Sequence, residues 1–158
     1  MAGEICEPQN HFKLFGECND LSVSSSPVNS TCQICLPHWY LHLDKCYWPS
    51  KALKTWNESQ SDCSEKGAQL VVIQNKEEME FLKKFTEDAQ IYWTGLSVSS
   101  SAKKWVWITG HKVDQNLFQE PPISDGGYNC GAIKSGKIMS DICTAVLKWI
   151  CQQDPILL

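Results

Sequence analysis

The chain has 158 residues, a formal net charge of −4 and nine cysteines. That length suits one domain with an additional segment. The mild negative charge, with no basic block longer than two, argues against nucleic acid or a membrane-surface helix as partner. Cysteine usage this heavy points to disulfides or metal sites. Two Asn-x-Ser/Thr sequons, at Asn29 and Asn57, favour glycosylation and an oxidising secretory compartment.

Residues 1–34 lack apolar periodicity and include the linker-like run Leu21-Ser-Val-Ser-Ser-Ser-Pro-Val-Asn-Ser-Thr31. They read as a flexible stalk carrying Cys6, Cys18 and Cys32. From Cys35 the pattern changes. Trp39, Leu41 and Leu43 alternate as on a half-buried strand, Asp44-Lys45 turns, and Cys46-Tyr47-Trp48 returns. Cys35 and Cys46 are then expected to face each other across this hairpin.

Thr55-Trp-Asn-Glu58 is a capping box opening a helix to about Lys66, with Gly67 as the left-handed stop. Trp56, Ser59, Gln60 and Cys63 share one face, so Cys63 is expected to point inward. Leu70–Ile73 reads as a short buried strand. Asn75 starts a second helix with Met79, Leu82 and Phe85 on one stripe. Ile91–Leu96 is a strand with a glycine at a close approach, and Trp105–Ile108 is another. Residues 97–104 form an exposed loop. The long polar stretch Thr109–Asn129 has the length and composition of a functional loop.

Three short apolar runs close the chain. Cys130–Lys134 and Ile138–Cys143 form a hairpin that a Cys130–Cys143 bridge would pin, and Leu147–Cys151 is a final strand. Cys151 must reach back to a distant partner, and Cys63 is the obvious one. Trp56, Trp93, Trp107 and Trp149 are assigned to the core.

The spacing of Cys35, Cys46, Cys63, Cys130, Cys143 and Cys151 resembles the long form of the C-type lectin-like domain. Trp93-Thr-Gly-Leu96 resembles its Trp-Ile-Gly-Leu core motif, with Thr94 in place of the isoleucine. Trp105-Val-Trp107 and Trp149-Ile-Cys151 also match. Lys45-Cys-Tyr-Trp48, Thr55-Trp-Asn57, Cys130-Gly-Ala-Ile-Lys134 and Lys148-Trp-Ile-Cys151 look closest to the killer-cell lectin-like receptors of natural killer cells, subfamilies B and F. The resemblance implies an α+β fold over 35–152, with two helices flanking two small antiparallel sheets, and a tail at 153–158. It also implies the bridges Cys35–Cys46, Cys63–Cys151 and Cys130–Cys143, in agreement with the reading above. Cys6, Cys18 and Cys32 remain as candidates for an interchain link in a homodimer.

Sugar-binding members of this family hold Ca²⁺ through carboxylates and amides, because the ion takes six to eight oxygen ligands. Their Glu-Pro-Asn triplet is Glu120-Pro121-Pro122 here, and their Trp-Asn-Asp triplet is Met139-Ser140-Asp141. Glu120 and Asp141 alone keep strong donors, so no calcium or other cofactor is expected. Cys32-x-x-Cys35-x-x-His38-x-x-x-His42 has too short a spacer for a zinc finger and would consume Cys35. No nucleotide loop, nucleophile elbow or Cys–His pair suggests an enzyme.

The resemblance therefore implies a non-catalytic type II receptor ectodomain that binds a protein on another cell, expectedly lectin-like, without calcium. The alternatives are a Ca²⁺-dependent carbohydrate binder and a soluble decoy. Candidate contact residues on the two loops are Lys103, Lys104, His111, Lys112, Phe118, Glu120 and Tyr128. Met1–Cys6 shows no leader pattern, and no run has the ~20 apolar residues of a membrane helix. Two localisations are then expected: the extracellular side of the plasma membrane for a piece of a longer receptor, or secretion for a form without a membrane span.

Overall fold

The computed structural model describes residues 32–124 and 129–157. The chain divides into two compact units, Met1–Trp48 with Gln153–Leu158, and Pro49–Gln152. In the first unit, β1 (Gln33–Ile34) pairs antiparallel with β10 (Ile156–Leu157), so the segment read as a tail contributes a strand. β2 (Tyr40–His42) and β3 (Lys45–Pro49) form a hairpin with Leu41 opposite Cys46. Lys45 and Asp154 form an ion pair at 2.9 Å.

Two details of the first hairpin differ from expectation. Leu43 does not continue the inward stripe. It sits in the turn with φ 55° and is 61% exposed. A two-residue hairpin connection needs left-handed backbone, and this requirement overrides the side chain's preference for burial. Cys35 is not on the strand opposite Cys46, because His38 (φ 73°) reverses the chain between them. The Cys35–Cys46 bridge nevertheless forms, with 5.7 Å between α-carbons. Cys35 is thereby removed from any zinc site with Cys32, His38 and His42.

In the second unit the capping box is present as expected. α1 spans Trp56–Glu65, Thr55 Oγ1 accepts from the Glu58 amide, and the Glu58 carboxylate accepts from the Thr55 amide. These bonds to Thr55 hold the Glu58 carboxyl below its ordinary value. The capping bond therefore stabilises the fold above the normal carboxylate range and is lost as pH falls through the depressed value. Gly67, at φ 74°, ends the turn after the helix. Ser59 and Cys63 are buried on the inner face, and Gln60 accepts from the Leu70 amide at 3.2 Å.

Residues 70–73 are buried throughout, but only Gln69–Leu70 is strand (β4), paired with β9 (Lys148–Gln153). α2 spans Lys76–Phe85 and is capped by Asn75. Its stripe is mixed: Leu82 is buried and Met79 and Phe85 half-buried, but Glu78 is buried beside them. The Glu78 carboxylate accepts from the Gln74 amide and the Gln152 side chain. These bonds satisfy a charge that apolar periodicity cannot anticipate.

The sheet of this unit is built on β5 (Ile91–Val98). It pairs antiparallel with β6 (Trp105–Trp107) and β7 (Asn129–Lys134), and parallel with β9. β8 (Lys137–Ile142) lies beyond β7, joined by a turn at Ser135–Gly136. Pairing between β5 and β7 shifts register between Trp93 and Ser97. There the Gly95 amide bonds Val71 and its carbonyl accepts from Ile108, both at 2.8 Å. The Thr94 hydroxyl, fully buried, donates to the Gly131 carbonyl at 2.9 Å and accepts from the Leu96 amide. Thr94 thus supplies bonds that the bulged ladder lacks, which an isoleucine could not do.

The remaining expected bridges form as well, Cys63–Cys151 with 5.5 Å and Cys130–Cys143 with 5.1 Å between α-carbons. Cys63–Cys151 spans 88 residues. Cys63→Ala/Cys151→Ala is expected to lower unfolding free energy by about 2–5 kcal/mol in urea titration. A midpoint equal to wild type would show that the clip adds nothing to stability.

Gly131 is set by the same bulge, because a Cβ there would lie 2.6 Å from Leu96 Cβ. Gly131→Ala should cost about 1–3 kcal/mol by overpacking in the same titration, and an unchanged midpoint would mean that Leu96 yields freely.

Candidate functional site

The two loops read as functional are held onto the second unit by tryptophans. The loop after β5 is a short reversal in which the Ser99 amide donates to the Lys104 carbonyl (2.8 Å) and the Lys103 amide to the Ser99 carbonyl (2.7 Å). Lys103 takes a left-handed φ of 53° in that turn. Lys103 and Lys104 are both exposed. β6 then buries Trp105 and Trp107, as the alternation predicts.

Beyond β6 the chain turns back at Thr109–Gly110. The Trp107 amide donates to the His111 carbonyl, and Val106 and Lys112 form an isolated antiparallel bridge. The bridge sets Lys112 beside β6, two residues along from Lys104, or roughly 7 Å of strand rise. His111 is exposed, and its Nδ1 bonds the Thr109 hydroxyl at 2.9 Å. Four of the candidate residues, Lys103, Lys104, His111 and Lys112, thus flank one short strand with their side chains in solvent. The three lysines make this a cationic group on a chain whose total charge is negative.

The second half of the long loop is folded down. The Trp105 indole N–H donates to the Pro121 carbonyl at 2.8 Å. Phe118 packs edge-on against Trp107, with ring centroids 6.0 Å apart at 84°. Phe118 is half-buried, so its ring is divided between holding the loop and facing outward. Asn129, buried at the start of β7, accepts from the Ser124 hydroxyl at 3.0 Å and fixes the far end of the described loop. Tyr128 lies outside the described residues, as do Cys6, Cys18 and Asn29. Cys32 is described and is disulfide-bonded.

An open cleft of about 590 Å³ runs between this loop and the β7–β8 hairpin. Leu117, Phe118, Glu120, Pro121 and Pro122 form one wall, Lys137–Ser140 form the other, and Met79 of α2 lies between them. Of the candidates, Phe118 and Glu120 reach this cleft, and the cationic group does not line it. Lys137 and Ile138 were read only as part of the closing hairpin, Met139 only as aligned with a calcium-site triplet that has lost its donors, and Met79 only as core. Nothing local in the sequence marks them, because the cleft wall is made when α2 and the hairpin pack beside a loop distant in the chain.

The positions aligned with a calcium site are otherwise engaged. The Glu120 carboxylate accepts from the Gln115 amide side chain at 2.9 Å. The Asp141 carboxylate accepts from the Ile142 amide at 2.7 Å. Glu120 and Ser140 line the cleft, whereas Asp141 does not. Pro122, exposed, offers only its backbone carbonyl. Among the described residues no group of three or more His, Cys, Asp or Glu side chains is clustered to hold a metal.

The geometry agrees with comparisons to known proteins. The Lectin C-type domain family matches residues 52–153. Killer cell lectin-like receptor subfamily F member 1 of Macaca fascicularis is 36% identical over 134 residues, covering 84% of this chain and 56% of the relative. Killer cell lectin-like receptor subfamily B member 1B allele B of Mus musculus is 35% identical over 121 residues, covering 76% of this chain and 54% of the relative. The chain therefore spans about half the length of these relatives. The mouse scavenger receptor C-type lectin carbohydrate-recognition domain superposes with a TM-score of 0.67 at 26% identity, covering 76% of this chain and 98% of that one. By the matched span, the bridges and the bulged Trp-Thr-Gly-Leu strand, this chain belongs to the C-type lectin domain family, where it is related to the killer-cell lectin-like receptors of subfamilies F and B.

Proposed function

We propose that this chain is the ligand-binding part of a non-catalytic immune receptor that recognises a protein on an opposing cell without calcium. The observation that carries this reading is the state of the long loop. It is pinned by Trp105, Trp107 and Asn129, so contacts made on it carry little ordering cost. At the same time the carboxylates at the calcium-aligned positions, Glu120 on this loop and Asp141 on β8, bond groups of the protein itself. The relatedness to killer-cell lectin-like receptors supports receptor function, and it favours a lectin-like partner.

On this reading Phe118 and the cleft provide packed contact area. Lys103, Lys104 and Lys112 form a cationic flank that steers an acidic partner surface, with His111 as a polar contact residue beside them. Tyr128 is retained as a contact residue. Cys32 is already disulfide-bonded, so the odd cysteine outside the domain bridges that supports a disulfide-linked homodimer is Cys6 or Cys18. Display as a type II protein at the plasma membrane, with secretion for a form lacking the anchor, completes the proposal. Among the described residues no helix is long and apolar enough to cross a membrane.

Calcium-dependent sugar binding is the competing reading, favoured by the superposition on a carbohydrate-recognition domain. Thermal unfolding with millimolar Ca²⁺ and with chelator separates the two. A bound ion at a hundredfold excess over Kd would add about 2.7 kcal/mol, and coincident curves are expected. A clear rise with calcium would restore the sugar reading and make Glu120 and Asp141 ligands.

The protein-ligand reading is tested with fluorescent tetramers of the chain on a panel of leukocyte and epithelial lines. Staining should survive chelator and disappear after trypsin treatment of the target cells. A tetramer carrying Lys103→Ala, Lys104→Ala and Lys112→Ala should associate roughly three- to tenfold more slowly at low salt, with the difference shrinking as salt rises. Staining abolished by chelator or by deglycosylating the target cells would overturn the proposal. An unchanged rate for the triple variant would remove the cationic flank from the site.

A further inference from the structure

The sequon at Asn57 is placed in the fold in a way that fixes both its use and its timing. Asn57 is the second residue of α1 and is exposed. Its side chain lines an open depression of about 410 Å³, together with Thr55, Trp56, Ser97, Val98 and Thr144. This is room at the surface beside a half-buried indole and a valine, a setting in which the apolar face of a sugar ring packs well.

The hydroxyl that completes the sequon is placed the opposite way. Ser59 is fully buried, and its Oγ donates to the Thr55 carbonyl at 2.8 Å. Glu58 between them is held in the capping box, bonded to Thr55 through both its amide and its carboxylate. Transfer of a glycan requires the enzyme to reach the asparagine amide and the hydroxyl two residues on, in one extended segment. In the folded helix the amide is accessible and the hydroxyl is not.

We infer that Asn57 is an N-glycosylation site that is loaded only before α1 closes, after which the first sugar rests in the depression beside Trp56 and Val98. The co-substrate is a lipid-pyrophosphate-linked oligosaccharide. The Asn57 Nδ2–C1 bond forms, the C1–oxygen bond to the pyrophosphate breaks, and the lipid pyrophosphate leaves. Nδ2 gives one proton to a base of the transferase. No electron changes hands. Site occupancy then records a competition between transfer and folding. Folding should be helped to win by the Cys63–Cys151 bridge, which locks the same helix to β9.

The full chain, carried into the secretory pathway of mammalian cells by a cleavable leader, provides the test. Enzymatic release of N-glycans in water enriched in the heavy oxygen isotope leaves that oxygen as a stable mark on the aspartate formed at each occupied site. The peptide containing residue 57 should carry this mark, and Asn57→Gln should remove it. Ser59→Thr should preserve or raise it. Occupancy should rise about twofold or more for Cys63→Ala/Cys151→Ala, or under a reducing agent that delays folding. In a second arm, bacterially produced, refolded chain is offered to purified transferase with lipid-linked oligosaccharide. It should stay unmodified at 57, while the same chain reduced and unfolded is modified. Absence of the mark at 57 in every secreted form would overturn the site. Modification of refolded and unfolded chain at equal rates would overturn the timing.

Discussion

The second unit depends on one irregularity in one strand. β5 gives up regular pairing with β7 between Trp93 and Ser97, and its backbone there turns to Val71 and Ile108 instead. A bulge costs ladder bonds, and it is tolerated where other groups replace them. Here the buried Thr94 hydroxyl does so, bonding the Gly131 carbonyl and the Leu96 amide. Gly131 is tied to the same event, since only a residue without Cβ lets Leu96 pack there. The bulge lets one strand organise a sheet, the buried 70–73 segment and the base of the long loop after β6 together.

Indole groups extend that order outward. Trp56 donates to the Thr94 carbonyl, Trp93 to Lys54, Trp149 to Asp62 and Trp105 to Pro121, each at 2.8–3.1 Å. Each ring buries its apolar area in one element and caps a polar group of another. A loop without secondary structure of its own is thereby held to the sheet by Trp105 and by the Trp107–Phe118 contact. Such a loop can vary its exposed residues without disturbing the scaffold. This physical arrangement lets one fold serve as a sugar-recognition domain in one protein and as a receptor module in others.

The helices show how far local reading reaches. The capping box at Thr55, the Asn75 cap and the Gly67 stop involve residues within a few positions of one another, and all three were legible as spacing. The same was true of the six domain cysteines, whose order and context carried the pairing. Glu78 was not legible, because its partner Gln152 lies in the last strand. Leu43 was misread as an inward residue, because backbone demand at a tight turn outweighed one side chain's burial. The cationic flank was visible as exposed loop charge, and the Val106–Lys112 bridge sets Lys112 beside β6, which Lys104 precedes. The cleft wall of Lys137–Ser140 was invisible as a wall, since those residues read as a hairpin whose only marked positions, Met139 and Ser140, were aligned with a lost calcium site.

By itself the sequence determined the helices with their caps, the strands that carry the tryptophans, the three domain bridges and the loss of calcium-site donors. The helices, caps and strands follow from residue type and short spacing, whereas the bridges, one of which spans 88 residues, and the lost calcium donors were read by setting the residues beside the family's pattern. The tertiary structure alone decided the bulge at Thr94, the downward fold of the 117–122 loop, and the opposite exposures of Asn57 and Ser59. Each of these is a bond, a contact or a loss of solvent created when residues far apart in the chain share one interior.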